Sequence, residues 1–302
     1  MKTSKHRLNK VGRLPEILIH LFVGGFALIC VIPFIFVVII SFSSPESLRL
    51  VGFSFFPVEI TLTSYEAAFQ MGDQLWRSFF NSIYVTVMGT FLSVLITLLY
   101  AYGLFRRDYP YRKFFMFILL FTMIFSGGLV PFVIVVRNFL NLAETYWAMI
   151  VPLLMTPFNV IIMRTFLRTT VPDSLLDAAH IDGSGEFRTL FTIVTPLAKP
   201  GIATVSLLTA IGYWNDWWMA MLFIRERTLF PLQYLLMEMQ LNIEFLRANI
   251  ALIGAAHIQL EDLPGEGLRM ALAVIIVVPI AFAYPFFQRY IISGLTVGAV
   301  KE

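Results

Sequence analysis

The stretch Tyr213-Trp214-Asn215-Asp216-Trp217-Trp218 sets an ionisable residue inside a run that is otherwise uncharged between Lys199 and Arg225. Burying a charge in so apolar a run is costly, so a functional cavity is the default expectation for Asp216. Aromatic faces suit the C–H surfaces of sugar rings, and Asn and Asp exchange hydrogen bonds with hydroxyls. The constellation Tyr213, Trp214, Asn215, Asp216 and Trp217 therefore offers recognition of a polyol. Two plainer readings use the same residues. Trp217 and Trp218 fit an interfacial aromatic belt, and Asn215 and Asp216 fit hydrogen bonds between helices. Gly127 and Gly128, with Pro131, interrupt an earlier apolar run, where they either open a pathway or permit a packed kink. Pro152 and Pro157 pose the same alternative.

A second pattern offers mechanics rather than recognition. From Val171 to Gly183 the chain has Pro172 where a helix starts and Gly183 where one stops. Phe187, Leu190, Phe191 and Val194 then recur at helical spacing until Pro196 and Pro200 break the pattern. The segment reads as helix, turn, helix. Ala178 and Ala179 permit close approach of another helix, and Gly183 permits a backbone with positive φ. Taken alone, Asp177 is an ordinary helix-end carboxylate.

Enzyme chemistry has no comparable footing. The four histidines stand scattered at 6, 20, 180 and 257, and none has a ligand-spaced partner. The lone Cys30 allows no intramolecular disulfide and no cysteine metal site, and Ile29 before it does not suit a lipoprotein anchor. No Gly-x-x-x-x-Gly-Lys-Ser/Thr sequence occurs, so the chain lacks a phosphate-cradling loop of its own and must borrow energy from elsewhere. Basic residues flank apolar segments instead of forming one face, which argues against nucleic acid.

The elements that position these residues follow from composition. Hydrophobic residues make up 58% of the 302 and charged residues 14%, with mean hydropathy +0.80. That balance belongs to a chain solvated by lipid. About 20 apolar residues cross a hydrocarbon core of ~30 Å, and six uncharged windows, Asp216 excepted, reach that length. Backbone groups in lipid must be paired internally, and long unalternating runs exclude a barrel. The expected fold is therefore all-α and polytopic, with six transmembrane helices near 17–43, 78–105, 114–136, 145–163, 200–224 and 270–289. A segment 1–16 precedes them, a loop 164–199 and an outer loop 225–268 interrupt the 17–291 membrane domain, and a tail 292–302 follows. Fifteen of the 22 Lys and Arg residues fall on the side shared by both termini, and eleven acidic residues fall on the other. The positive-inside rule thus puts both termini, and the 164–199 loop, in the cytoplasm. The basic N-terminal stretch followed by an apolar run is too long for a signal peptide and lacks a cleavage site.

The loop resembles the Glu-Ala-Ala loop of ATP-binding cassette importer permeases: Glu-Ala-Ala, three residues, Gly, nine residues, Ile, one residue, Leu-Pro. Asp177-Ala178-Ala179, Gly183, Ile193 and Pro196 fill that spacing, with Asp177 in place of Glu and Thr195 in place of Leu. Further marks are Ser126 to Pro131, Thr145-Tyr146-Trp147, Ile181-Asp182-Gly183-Ser184, Tyr213 to Trp217, Tyr284-Pro285-Phe286 and the tail Gly294 to Lys301; the likeness is greatest to carbohydrate permeases. The resemblance implies a non-catalytic, multi-pass subunit of a bacterial cytoplasmic membrane. It would couple through Asp177, Ala178, Ala179, Asp182, Gly183, Ile193 and Pro196 to two ATPase subunits that hold ATP and magnesium. It further implies a second permease, forming a heterodimer, an external solute-binding protein that contacts the outer loop, and an oligosaccharide as cargo. Uptake of another solute by the same class of importer, or an ion-coupled carrier, is the alternative.

Overall fold

The computed structural model describes residues 13–248 and 265–299. Expectations that concern residues 1–12, the part of the outer loop at 249–264 and residues 300–302, with His6, His257 and Lys301 among them, fall outside that range. The chain divides into two compact units, one within Met1–Gln70 and Gln259–Val274, the other within Met71–Ile258 and Ile275–Glu302.

In the first unit, α1 (Arg13–Ser41) runs 29 residues, about 43 Å at 1.5 Å per residue. Its apolar side chains from Leu14 to Val38 are largely exposed, and its 18-residue apolar stretch has mean hydropathy 3.0. A helix apolar on every side is stable only where the solvent is hydrocarbon. Serines mark where it stops. Ser41 donates to Val38 O at 2.7 Å and meets the Tyr65 hydroxyl at 2.8 Å, and Ser44 caps α2 (Pro45–Leu50) by accepting from Ser47 N. The short α3 (Thr63–Gln70) closes this part.

The second unit is built on α4 (Asp73–Phe105), 33 residues long. Ser78, Ser82, Val85, Gly89, Ser93, Thr97 and Ala101 recur every three or four residues and are buried. Small side chains on one face let neighbouring backbones approach closely, which is how helices associate where no hydrophobic force distinguishes helix from lipid. The chain continues through α5 (Arg112–Ile124), α6 (Leu129–Ile134), a π turn Val135–Phe139, α7 (Tyr146–Ile150), a 3-10 turn Val151–Leu153 and α8 (Pro157–Thr170). Next come α9 (Asp173–Ile181), α10 (Glu186–Arg188), a π segment Thr189–Val194, α11 (Thr195–Leu197), α12 (Lys199–Trp214), α13 (Trp218–Phe223) and α14 (Leu232–Ala248); α15 (Glu266–Ala299) starts in the first unit and ends in the second. No β-strand occurs among the described residues, so the fold is all-α.

α4 packs mainly on α12 and α8. One core joins Leu98, Leu104, Met163, Leu167, Leu190, Val194 and Val205; a second joins Val85, Met149, Ile150, Tyr213, Phe223 and Phe230. Among the described residues, three helices are long and apolar enough to cross a membrane, or up to six spans if each bent pair is one crossing. The bends fall where the sequence carries breakers. α5 and the α6 segment meet at 116° across Gly127 and Gly128, the latter at φ +83. The α7 and α8 segments meet at 52°, with Pro152 in the 3-10 turn and Pro157 opening α8. A proline at a helix start loses no hydrogen bond, because that N–H has no intrahelical partner anyway. The third window is thus not one straight rod: 13 residues of α5 reach only about 20 Å.

One tight approach in the second unit is at Gly89, where a Cβ would stand 2.6 Å from Cζ of the Tyr213 ring. That ring is held from behind by its hydroxyl, which donates to Ile150 O at 2.9 Å. Gly89→Val is expected to lower stability by about 1–3 kcal/mol through overpacking, read as a lower melting temperature in detergent. Gly24→Ala, where open space surrounds the glycine, is the control and should leave the melt unchanged; equal melts for the two variants would refute the close packing.

Candidate functional site

The 164–199 loop folds as helix, turn, helix. Pro172, in an extended conformation, precedes α9, whose Leu176 and Ala179 face inward. Asp177, Ala178, Asp182 and Gly183 are exposed. Of the two alanines, therefore, Ala179 packs on its own subunit and Ala178 is open to a partner. The turn has the hydrogen bonds of a Schellman motif: Ser184 N donates to Ala179 O at 2.9 Å and Gly183 N to His180 O at 3.0 Å. Gly183 takes φ +74, the left-handed conformation that this motif requires and glycine adopts without strain.

After Gly185 the chain turns helical again through Leu197, then bends by 84° into α12. Ile193 is half-buried and Pro196 sits exposed in the first turn of α11. Apolar side chains flank the turn in the open: Ile181 is 85% exposed and Phe187 72%.

Side chains that sequence reasoning passed over hold this loop in place. Glu186, in the first turn of the second helix, accepts from the Tyr102 hydroxyl at 2.6 Å through Oε2 and from Arg106 at 3.0 Å through Oε1. Arg106 also pairs with Asp108 at 2.7 Å, and Arg107 pairs with Asp173 of α9 at 2.9 Å. Both helices of the loop are thus tied to the segment that follows α4. Burial opposes the charge on Asp108, but the hydrogen bond from Arg106, a backbone hydrogen bond and the nearby positive charge together hold the carboxyl below its ordinary value. The available signal was topological: the basic 106–113 loop and the acidic Asp173 and Glu186 were expected on the same side of the membrane.

At the far end of α12 the helix stops at Trp214 and restarts at Trp218. Tyr213 and Trp214 are buried inside the subunit, the first bonded to Ile150 O and the second, through Nε1, to Ile276 O at 3.0 Å. Their polar atoms are occupied, so these two fix the helix packing rather than present hydrogen bonds to a solute. Asn215 is exposed, with Nδ2 donating to Ile211 O at 2.9 Å. Asp216 is half-buried and accepts from Met219 N at 3.3 Å, stitching the break; Trp217 is half-buried and stacks edge-on with Trp218 at 5.5 Å. Gly127 and Gly128 are exposed at their own bend. Glu144, at φ +57, completes this end: its carboxylate accepts from Arg225 N and Glu226 N at 2.9 and 3.1 Å.

The profile of a family described as the binding-protein-dependent transport system inner membrane component matches residues 94–297. The chain is similar to the polygalacturonan/rhamnogalacturonan transport system permease protein YtcP of Bacillus subtilis, 37% identical over 96% of this chain and 99% of the relative. It is also similar to the arabinooligosaccharides transport system permease protein AraQ of Halalkalibacterium halodurans, at 29% identity over 91% and 92%. Among solved structures, a chain of a bacterial ABC transporter involved in the import of the acidic polysaccharide alginate superposes with TM-score 0.78, at 29% identity over 94% of this chain and 99% of that one.

Because an L-residue in the left-handed region costs about 1–2 kcal/mol, Gly183→Ala should loosen the loop turn. Hydrogen exchange at the Ser184 amide is expected to accelerate by about tenfold. Gly185→Ala, at φ −70 with open space around it, should leave that amide unchanged, and equal protection in both variants would remove the capping role.

Proposed function

The chain belongs to the family of binding-protein-dependent transport system inner membrane components, and on that premise we propose how this permease subunit of an ATP-driven sugar importer moves its cargo and which cargo it takes. The cargo is an oligosaccharide rich in uronic acid units. Supporting this, one relative is named for polygalacturonan and rhamnogalacturonan, and the similar solved structure is described as importing alginate.

The observation that carries the mechanism is a continuous connection. The exposed turn around Gly183 leads through the second loop helix and its 84° bend into α12, and α12 ends at the Asn215–Trp217 break. ATPase subunits carrying ATP and magnesium engage Asp177, Ala178, Asp182, Ile181 and Phe187 in the cytoplasm. Their closure pulls the helix pair, which moves as one piece because its turn is capped and because Glu186 and Asp173 tie it to the end of α4. Displacement of α12 then shifts the break, where Asn215, Asp216 and Trp217, with Gly127 and Gly128, line half of the pathway. A second permease lines the other half, and an external binding protein delivers the solute to the outer surface. Both termini lie in the cytoplasm, a reading supported by the Lys and Arg bias. The chain supplies no catalysis.

The two ends of this connection separate in experiment. Ile181→Asp places a charge in the apolar contact with the ATPase and is expected to lower co-purification of ATPase subunits by about tenfold or more, with the permease still inserted. Asn215→Ala should leave that co-purification intact while raising the half-saturating concentration for oligogalacturonide uptake by reconstituted transporter by about fivefold, the scale of one lost hydrogen bond. Purification without any ATPase subunit would overturn the assembly, and unchanged uptake kinetics would remove Asn215 from the pathway.

A further inference from the structure

Beside the loop, on the same unit, lies a cleft of about 410 Å³ whose lining includes Arg107, Arg112, Thr165, Arg168, Thr169, Pro172 and Asp173. Its volume is that of a small-ligand site. Its charge is one-sided. Arg107 pairs with Asp173 at 2.9 Å, but among the described residues Arg112 and Arg168 have no carboxylate within ion-pair distance. Thr165 and Thr169 donate their hydroxyls back to helix carbonyls, so the free donors facing the cleft are guanidinium N–H groups. A planar guanidinium presents paired donors that match the oxygens of a phosphate.

The setting identifies the depth. Arg112 opens α5; the exposed Tyr109 and Tyr111 stand just before it, and the exposed Phe114, Phe117 and Phe121 follow it. Tyrosines collect at the headgroup level of a bilayer, and exposed phenylalanines favour the acyl level. Basic pockets between helices on the cytoplasmic side bind anionic headgroups. We propose that the Arg107, Arg112 and Arg168 cleft holds the phosphate of an anionic membrane lipid, whose acyl chains lie along the Phe114, Phe117 and Phe121 face of α5. The lipid then sits against Asp173 and Pro172, at the base of α9, so that the bilayer itself braces the loop.

The intact transporter in nanodiscs of equal phosphatidylglycerol and phosphatidylcholine, released into native mass spectrometry, tests this. Wild type is expected to retain phosphatidylglycerol in preference, and Arg112→Gln with Arg168→Gln should cut that preference by about thirtyfold, a factor of about five for each arginine. The Arg112→Lys, Arg168→Lys variant keeps the charge and should keep most of the preference. If the double glutamine variant does not purify, Arg168→Gln alone, at an exposed position, should still reduce it by about fivefold. Equal retention in wild type and glutamine variants would overturn the site. Displacement of the lipid by inorganic phosphate, with equal thermal protection of lipid-free transporter, would make free phosphate the ligand and overturn the lipid source. Loss of ATPase subunits from the glutamine variant, with phosphatidylglycerol retained, would assign the arginines to a partner's carboxylate and overturn the proposal.

Discussion

In hydrocarbon no water stands ready to satisfy an open peptide group, so a membrane helix can be interrupted only where something in the protein takes up the freed donors and acceptors. This constraint organises the chain. The helix breaks fall at a few places, and several have visible closures. Asp216 and Asn215 stitch the gap between α12 and α13 by bonding to Met219 N and Ile211 O. Glu144 gathers the amides of Arg225 and Glu226 where α13 ends. Pro157 opens α8 at a position that has no intrahelical N–H bond to lose.

The same constraint explains why polar residues at the breaks invite a functional reading and yet serve structure first. Asp216 was conspicuous as a charge in an apolar window, and part of its duty is to cap a helix. Of the other residues in this pattern, Asn215, Gly127 and Gly128 are exposed and Asp216 is half-buried. Tyr213 and Trp214, which sequence alone groups with them, instead make the contact that lets α12 lie on α4: one ring rests on Gly89 and the other meets Phe79 edge-on at 6.4 Å. Packing therefore falls to the last residues of α12, while Asn215, Asp216 and Trp217 lie in the break that follows it.

The loop is stiffened at two points, both built from short-range interactions. The Schellman turn at Gly183 fixes the angle between the loop helices, and the Tyr102, Glu186, Arg106 and Asp108 cluster fixes the loop to the end of α4. The cluster is partly open to water, where isolated ion pairs contribute little. Its hold comes from one carboxylate bonded to two groups at once, the phenol and the guanidinium, so that side-chain entropy is lost once for two contacts.

Composition alone determined that the chain is helical and membrane-embedded, because apolar length and the need for internal backbone pairing leave few solutions. Local pattern determined the loop: Pro172, Gly183 and Pro196 act through their own backbone restrictions, so their effects are readable without knowing what lies nearby. Tertiary structure alone decided which residues of a motif face outward. Ala178 and Ala179 are chemically identical neighbours, yet one is open and one is buried, because helical rotation of about 100° per residue turns them to different sides. It also decided that Glu186 meets Arg106 and Tyr102, and that Arg112 and Arg168 share a cleft. These pairs lie 56 to 84 residues apart in sequence, and no local spacing encodes a contact made only when separate helices pack.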